Sequence, residues 1–396
     1  MTPAPSPSRF DAIIAGGGIV GAACAEALAR AGLRVALVER EAPGTGATAA
    51  GMGHIVVMDD SPAQFALTRF SQQLWQALAS RLDARAEYEA CGTLWIAADD
   101  EERSEAERKY AYYNAREVPA RLLSARELAA AEPNLRSGLA GALLVPEDAV
   151  AYPPVVALHL ALEARALGAT LLLGRSVKRI CAGEVVLDDG TRLTAPHLIN
   201  ATGAWAPELT PGLPVKKRKG HLVITDRQPG FVRHQLVELG YLKSAHSVTA
   251  DSVAFNVQPR KTGQILIGSS RQYGNESTRA DQPMLAAMLA RAAAYMPALS
   301  RLPAIRVWTG FRAATPDKLP LIGPSPTDPT LWLATGHEGL GITTSLGTAA
   351  LIAAQLTGAR PPIAIDPYLP ARFSMRTTDE PDQAPTPAHA ALEETQ

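Results

Sequence analysis

The run Asp11-Ala-Ile-Ile-Ala-Gly16-Gly17-Gly18-Ile-Val-Gly21 constrains the fold of this chain more than any other stretch. Residues 12–15 are a short, continuous apolar run, the pattern of a strand buried on both faces of a parallel sheet. Gly16, Gly18 and Gly21 then fall on the glycine positions of GxGxxG. The first allows a tight turn, the second lets backbone approach a pyrophosphate, and the third packs helix on strand. Residues 19–30 are rich in alanine and leucine and read as a helix, Gly32 closes it, residues 35–38 make a second strand, and Glu39 ends that strand. An acid in that place is set to accept a ribose 2′-hydroxyl, which argues against a 2′-phosphate. A glycine-rich turn alone is a weak signal and can be purely structural. With strand, helix, strand and acid in register it reads as a grip on an adenine dinucleotide, whose phosphates face the amides and dipole of the helix N-terminus.

At 396 residues the chain is long enough for about two domains. A formal net charge of -1 gives no electrostatic footprint for nucleic acid, and Lys216-Lys-Arg-Lys219, the one basic cluster, reads as a solvated strand edge. No charged-then-apolar leader is visible, and no stretch reaches the roughly 20 apolar residues that span a bilayer. A cytoplasmic location is expected, with attachment to the inner face of the membrane through a partner left open. Cys24, Cys91 and Cys181 are widely separated, so they cannot by themselves hold a cluster or a four-ligand zinc ion; no metal is expected. Cys24 falls inside the first helix, as apolar filler.

Further along, residues 61–82 carry an amphipathic helical pattern, residues 88–97 read as a strand, and residues 101–131 are charged and alanine-rich with helical spacing, including the capping-box form Ser124-Ala-Arg-Glu127. Alternation resumes at Gly141. Residues 153–167 read as a helix leading to a strand at 170–173, followed by apolar segments at Val177 and 185–187 that suggest a second edge of the nucleotide domain. A buried strand at 198–199 runs straight into Asn200-Ala-Thr-Gly203-Ala-Trp205, a small-residue turn where backbone can again approach a ligand. Residues 221–270 read as several short strands, with a hairpin around Pro259-Arg-Lys-Thr-Gly263, forming the sheet of a separate substrate domain; a helix follows at 283–295. Residues 1–8 are expected to form a mobile arm, and the polar, proline-rich residues 371–396 a disordered tail.

Taken together these pieces resemble the D-amino acid oxidase-like family of FAD enzymes, which includes glycine oxidase, sarcosine oxidase and bacterial imino-acid dehydrogenase subunits. The likeness runs from Phe10 to about Asp366. It is carried, in family order, by the glycine motif with Glu39, by Gly46-Ala-Thr-Ala-Ala-Gly51-Met52, by Asn200-Ala-Thr-Gly203-Ala, and by Trp308-Thr-Gly310-Phe-Arg312 through Pro320-Leu-Ile-Gly323 to Gly336-His-Glu-Gly-Leu-Gly341. The resemblance implies an α/β fold of glutathione reductase type: a Rossmann-like FAD-binding domain from 9–84, 141–210 and 305–370, and a discontinuous mixed-sheet α+β substrate domain from 85–140 and 211–304. It implies FAD held by Gly16, Gly18, Ile19, Val20, Glu39 and Arg40, by Thr48, Ala49, Ala50, Gly51 and Met52, and by Val177. To these it adds Ala201, Thr202, Gly203 and Trp205, with Gly310, Gly336, Gly339, Leu340, Gly341, Ile342 and Thr343 near the flavin ring. On composition alone, residues 47–51 can also be a plain loop. Some relatives hold their flavin through a cysteine after the arginine motif; residues 312–318 contain none, so noncovalent FAD is expected.

Arg312 matches the arginine that pairs with the substrate carboxylate in amino acid oxidases of this family, a task suited to its planar fork. The plain alternative is a structural ion pair with Asp317 or Glu338. Where glycine oxidase-like relatives place a tyrosine before the Pro-Arg-Lys turn, this chain has Asn256, and His337-Glu338 replaces an arginine-bearing segment. The string from Gly336 to Thr343, with Gly51-Met-Gly-His54, looks closer to dehydrogenase subunits that oxidise D-hydroxyproline, related imino acids, opines or glycine. His54, His337 and Glu338 are candidates for substrate contact or proton handling, although either histidine can be structural. The reading that follows is FAD-dependent oxidation of a small amino or imino acid, D-hydroxyproline foremost. Electrons would pass to a respiratory acceptor or to a partner subunit carrying an iron–sulfur cluster or second flavin. The alternatives are a stand-alone oxidase making peroxide, an opine or glycine dehydrogenase subunit, a flavin-containing assembly subunit and, from the first motif alone, a nicotinamide-dependent enzyme.

Overall fold

In the computed structural model residues 10–240 and 251–373 are described. The arm expected at 1–8 and residues 374–396 of the expected tail lie outside them, whereas Pro370–Arg372 forms a helical turn in which Arg372 pairs with Asp317.

The opening motif folds as its pattern dictates. Strand β1 (Ala12–Ala15) leads through Gly16, at φ +101°, into helix α1 (Ile19–Arg30), and the chain returns as β2 (Val35–Glu39). After β3 (His54–Ile55), the helix α2 (Pro62–Ala79) starts at Ser61, whose hydroxyl accepts the Gln64 amide. Next come β4 (Thr93–Ala97), α3 (Asp100–Asn114), β5 (Arg121–Ser124), α4 (Ala125–Ala131), β6 (Gly141–Val145), β7 (Ala149–Val150) and α5 (Pro153–Ala166). The Ser124–Glu127 capping box is formed at the start of α4. The middle of the chain supplies β8 (Thr170–Leu173), β9 (Val177–Cys181), β10 (Glu184–Leu187), β11 (Arg192–Thr194), β12 (His197–Asn200), α6 (Ala206–Leu209) and the long β13 (Lys216–Arg227). It ends with β14 (Gln235–Glu238), β15 (Ser252–Pro259), β16 (Gln264–Arg271), α7 (Gln282–Tyr295), β17 (Ala304–Ala314), β18 (Leu321–Pro324), β19 (Leu331–Thr335) and α8 (Ser345–Thr357).

A six-stranded sheet in the order β18-β19-β12-β1-β2-β8 forms the nucleotide half, parallel except for β18. Its central strands are buried on both faces, which is why they read as unbroken apolar runs. One face packs on α1, α5 and α8 through Ala22, Ala25, Leu28, Leu160, Leu351 and Ile352. The second layer is an eight-stranded sheet, β17-β13-β16-β15-β14-β4-β6-β5. On it α7 buries Met288, Ala292 and Tyr295, the Tyr295 ring stacked on Phe255 with centroids 4.5 Å apart.

Several sequence expectations change here. Residues 101–131 are not one helical stretch: β5 interrupts it, because Arg121–Ser124 pairs with β6 and tertiary pairing overrides helical composition. The strand expected from 88 begins at Thr93. The segment 177–194 forms its own antiparallel meander, β11-β10-β9, rather than an edge of the parallel sheet. Both β6 and β17, expected with the nucleotide half, hydrogen-bond into the eight-stranded sheet. Finally, Lys216-Lys-Arg-Lys219 is not a solvated edge. It opens β13, a strand flanked by β17 and β16, and Arg218 and Lys219 are buried. Their charges are met by Glu338 on Arg218, and by the Arg279 carbonyl and Asn275 on Lys219.

Candidate active site

Beyond the carboxyl ends of β1, β2, β12 and β19, a cavity of about 580 Å³ opens between the parallel sheet and one face of the eight-stranded sheet. This is where open α/β sheets bind ligands. At one end lie Glu39, Arg40, Val177 and Trp205; in the middle are Gly16, Gly18, Ile19, Val20, Thr48, Ala201, Thr202 and Gly203. The far end is walled by Ala50, Gly51, Met52, Gly310, Gly339, Gly341 and Ile342, together with Arg312, Glu338, His337, His54 and Asn256. The topology thus brings nearly all of the sequence-derived site residues into one continuous space. Ala49, Gly336, Leu340 and Thr343 do not line it. Ala49 is exposed, and Gly336 packs on Thr315. Leu340 packs into the apolar cluster around residues 56–58. Thr343 ties elements together, its hydroxyl donating to the His54 carbonyl at 2.9 Å and its own carbonyl accepting from the Trp75 indole at 3.0 Å.

The nucleotide end is built for an elongated ligand. A methyl at Gly16 would come within 2.8 Å of the Ala201 carbonyl, so only glycine lets β1 turn beside β12. The Glu39 carboxylate accepts the amides of Gly17 at 2.6 Å and Glu41 at 2.9 Å, which fixes its orientation while leaving acceptor capacity for a sugar hydroxyl. Thr48 accepts the first amide of α1, from Ile19, at 3.0 Å, and so joins the 46–51 turn to the helix N-terminus. Asn200 holds the second turn, donating to the Ala206 carbonyl and accepting from Thr202. Arg175, Ser176 and Lys178, which flank Val177, also line this end. They carried no signal in the sequence, because the turn before β9 and the start of a short exposed strand resemble any others.

At the far end, Arg312 on β17 stands directly across from Arg218 on β13. Its guanidinium lies between two glycines: a methyl at Gly220 would overlap it, with Cζ only 3.0 Å away, and one at Gly339 would sit 3.6 Å from Nε. It donates to the Ser270 carbonyl at 2.9 Å. Neither structural ion pair considered from sequence forms, since Asp317 binds Arg372 and Glu338 binds Arg218 at 2.6 Å. Burial lowers the Arg312 guanidinium from its ordinary range, with the Glu338 charge opposing that shift and Arg218 adding to it. Gly220 went unseen in the sequence and Arg218 was read only as part of a solvated edge, because their roles depend on the pairing of β13 with β17.

Burial disfavours the charged form of both histidines. Burial pushes His337 down to about 3, and its Nε2 is shared with the Thr348 hydroxyl at 2.9 Å, on α8. Burial also pushes His54 down to about 4, the Gln258 side chain opposing and the Arg312 charge assisting. His54 sits against the Gln258 side chain, and Asn256 Oδ1 is buried without a hydrogen-bond partner among the described residues. Glu338 sits on a left-handed backbone position, φ +50°, pinned by its amide donating to the Ala313 carbonyl.

Residues 11–355 match the sequence model of the DAO family, described as FAD dependent oxidoreductase. This chain belongs to that family. The hydrogen cyanide synthase subunit HcnC of Pseudomonas aeruginosa is 31% identical over 92% of this chain and 96% of its own length, and a glycine oxidase from the same organism is 30% identical over 91% and 98%. The crystal structure of glycine oxidase from Geobacillus kaustophilus superimposes with a TM-score of 0.83 at 27% identity, covering 92% of this chain and 99% of that one. The cavity suits the cofactor of the family: the glycine turns, Glu39 and the 46–51 turn together form a cradle long enough for FAD. The chain is accordingly an FAD-dependent oxidoreductase of the kind that acts on amines and amino acids. Among the described residues no helix is long and apolar enough to cross a membrane, and no group of His, Cys, Asp and Glu could hold a metal ion.

Proposed function

We propose that this enzyme oxidises the carbon–nitrogen bond of a small amino or imino acid, D-hydroxyproline foremost, and passes the electrons to a partner subunit or respiratory acceptor rather than to oxygen. The observation that carries the reading is Arg312: a half-buried guanidinium lining the cavity, cradled by Gly220 and Gly339, with Glu338 and Asp317 engaged elsewhere. Such a fork takes a carboxylate through paired charge-assisted hydrogen bonds and so fixes the α-carbon in the cavity. FAD, when bound, supplies the acceptor for the hydrogen and electron pair lost as the carbon beside nitrogen becomes an imine carbon.

The residues of the chain do the remaining work. Glu39, with the glycine turn of residues 16–18 and the 46–51 turn, would hold the cofactor. None of the three cysteines lines the cavity, which supports noncovalent attachment. Arg218 occupies one oxygen of Glu338, which keeps that carboxylate from neutralising Arg312; its remaining acceptor capacity is available to a substrate ammonium. His54 and His337 are neutral, so the account needs no histidine base, only an amine that arrives unprotonated or gives its proton to Glu338.

That the cyanide synthase relative is a subunit of a larger enzyme supports a partner for this chain. An acceptor assay on the purified holoenzyme tests the proposal: rapid dye reduction by D-hydroxyproline with negligible oxygen uptake is expected. Stoichiometric peroxide would replace it with the oxidase reading.

A further inference from the structure

Gln258 is buried on β15, and its side-chain amide donates to the Met52 carbonyl at 2.7 Å. That bond settles the orientation of the amide: its nitrogen faces Met52, and Oε1 is left to accept. The group that Oε1 meets is the His54 ring, whose buried nitrogen, Nε2, is matched by nothing else among the described residues. The contact favours the protonated ring, the mark of a ring N–H donating to a carbonyl-type oxygen. Burial outweighs it, so the imidazole is neutral at neutral pH, with a pKa of about 4. A neutral imidazole carries one N–H, and the hydrogen bond made by one nitrogen decides the state of the other. With the proton on Nε2, Nδ1 accepts.

The His54 ring is half-buried and lines the far end of the cavity, and among the described residues nothing hydrogen-bonds Nδ1, the nitrogen on its open side. His54 shares that end with Arg312 and feels its charge. In an α-amino or imino acid the nitrogen and the carboxylate hang on one carbon. A carboxylate on Arg312 therefore leaves the nitrogen in the part of the cavity that His54 walls.

We propose that Gln258 fixes His54 as the Nε2–H tautomer and that His54 Nδ1 accepts the N–H of the neutral substrate amine. The inference rests on the amino and imino acid reading of the cavity and deepens it. Substrates must keep an N–H when neutral, which primary and secondary amines do and tertiary amines do not. Glu338 remains the acceptor for the proton of an ammonium; His54 takes none. As the carbon beside nitrogen gives up its hydride to the flavin, the nitrogen lone pair forms the C=N bond and the nitrogen turns cationic. The hydrogen bond to Nδ1 strengthens as that charge develops. Gln258 touches no substrate and is a positioning residue.

The test reads binding to the holoenzyme rather than turnover. Flavin absorbance is titrated with pyrrole-2-carboxylate and furan-2-carboxylate, planar acids of one shape that differ only in an N–H against a ring oxygen. The pyrrole acid is expected to bind at least about tenfold more tightly. His54→Phe should abolish that preference, and His54→Asn, which keeps an acceptor near the δ position, should restore part of it. Gln258→Leu, which frees the tautomer, should lower it while the flavin stays bound. Equal binding of the two acids by the wild type overturns the proposal, whatever the variants do, and so does a preference that survives His54→Phe. A preference unchanged in Gln258→Leu overturns the tautomer assignment. N-methyl-D-proline bleaching the flavin as fast as D-proline overturns the requirement for an N–H. If the two acids bind equally but far more tightly than pyrrole itself, the carboxylate reading stands and only this inference fails. If neither acid binds, the reading and the inference fall together.

Discussion

Gly220→Ala isolates the positioning of Arg312 from everything else. The added methyl would overlap the guanidinium, with Cζ at 3.0 Å and Nη2 at 3.1 Å. Ordinary carbon contacts begin near 3.5 Å, so the guanidinium must withdraw by roughly 1 Å. The yielding atoms are the far end of a flexible side chain, and alanine is no worse than glycine in a strand, so folding should be nearly unaffected. Substrate orientation should not be, since a 1 Å misplacement of a positioning group costs on the order of 100-fold in rate. The expected result is a fall in kcat/KM of about that size, measured by anaerobic rapid mixing, with a melting midpoint within a few degrees of wild type. A variant with normal kcat/KM would refute the claim that Arg312 must occupy this place to anchor substrate.

Other consequences are equally specific. Arg218→Met frees the Glu338 carboxylate beside Arg312, so kcat/KM should fall at least tenfold, and adding Glu338→Gln should restore much of it; a double variant no better than the single one would show that Glu338 does not compete for Arg312. Glu39→Ala removes the acceptor that holds the Gly17 amide and faces the cofactor, and fluorescence titration of the apoprotein should show FAD affinity lowered roughly 10- to 100-fold. Unchanged affinity would remove Glu39 from the cradle. His337 is held near 3 in the folded chain, below its unfolded value, so between about pH 6.5 and 3 the unfolded chain binds the extra proton and stability falls as pH falls. His337→Gln keeps a partner for Thr348 but cannot take that proton. Its stability, from urea unfolding, should lose up to about 1.4 kcal/mol less per pH unit across that window than wild type; parallel curves would mean that His337 is not buried neutral.

The nucleotide half was readable because its signals are local: an apolar strand, glycines where backbone must approach backbone, and an acid one strand later all fall within 30 residues of chain. Arg312 was readable only through family resemblance, and its two plausible ion pairs could be excluded only once Arg218 and Arg372 were seen to take Glu338 and Asp317. The basic cluster at 216–219 misled because a charge run looks solvated in one dimension, while the acceptors that let it be buried come from residues 275, 279 and 338. His337 misled in the opposite way. It lines the cavity, but its ring Nε2 is claimed by Thr348 eleven residues on. Gly220 had no sequence signal at all, since its purpose exists only when Arg312 is laid across it.

The central claim is that a carboxylate on Arg312 makes an amine a substrate. Anaerobic mixing of the holoenzyme with a cyclic imino acid, and separately with pyrrolidine, the same ring without its carboxylate, tests it directly. The account predicts that the imino acid bleaches the flavin and that pyrrolidine does so at least about 1,000-fold more slowly at equal concentration. Equal bleaching by the two would contradict it.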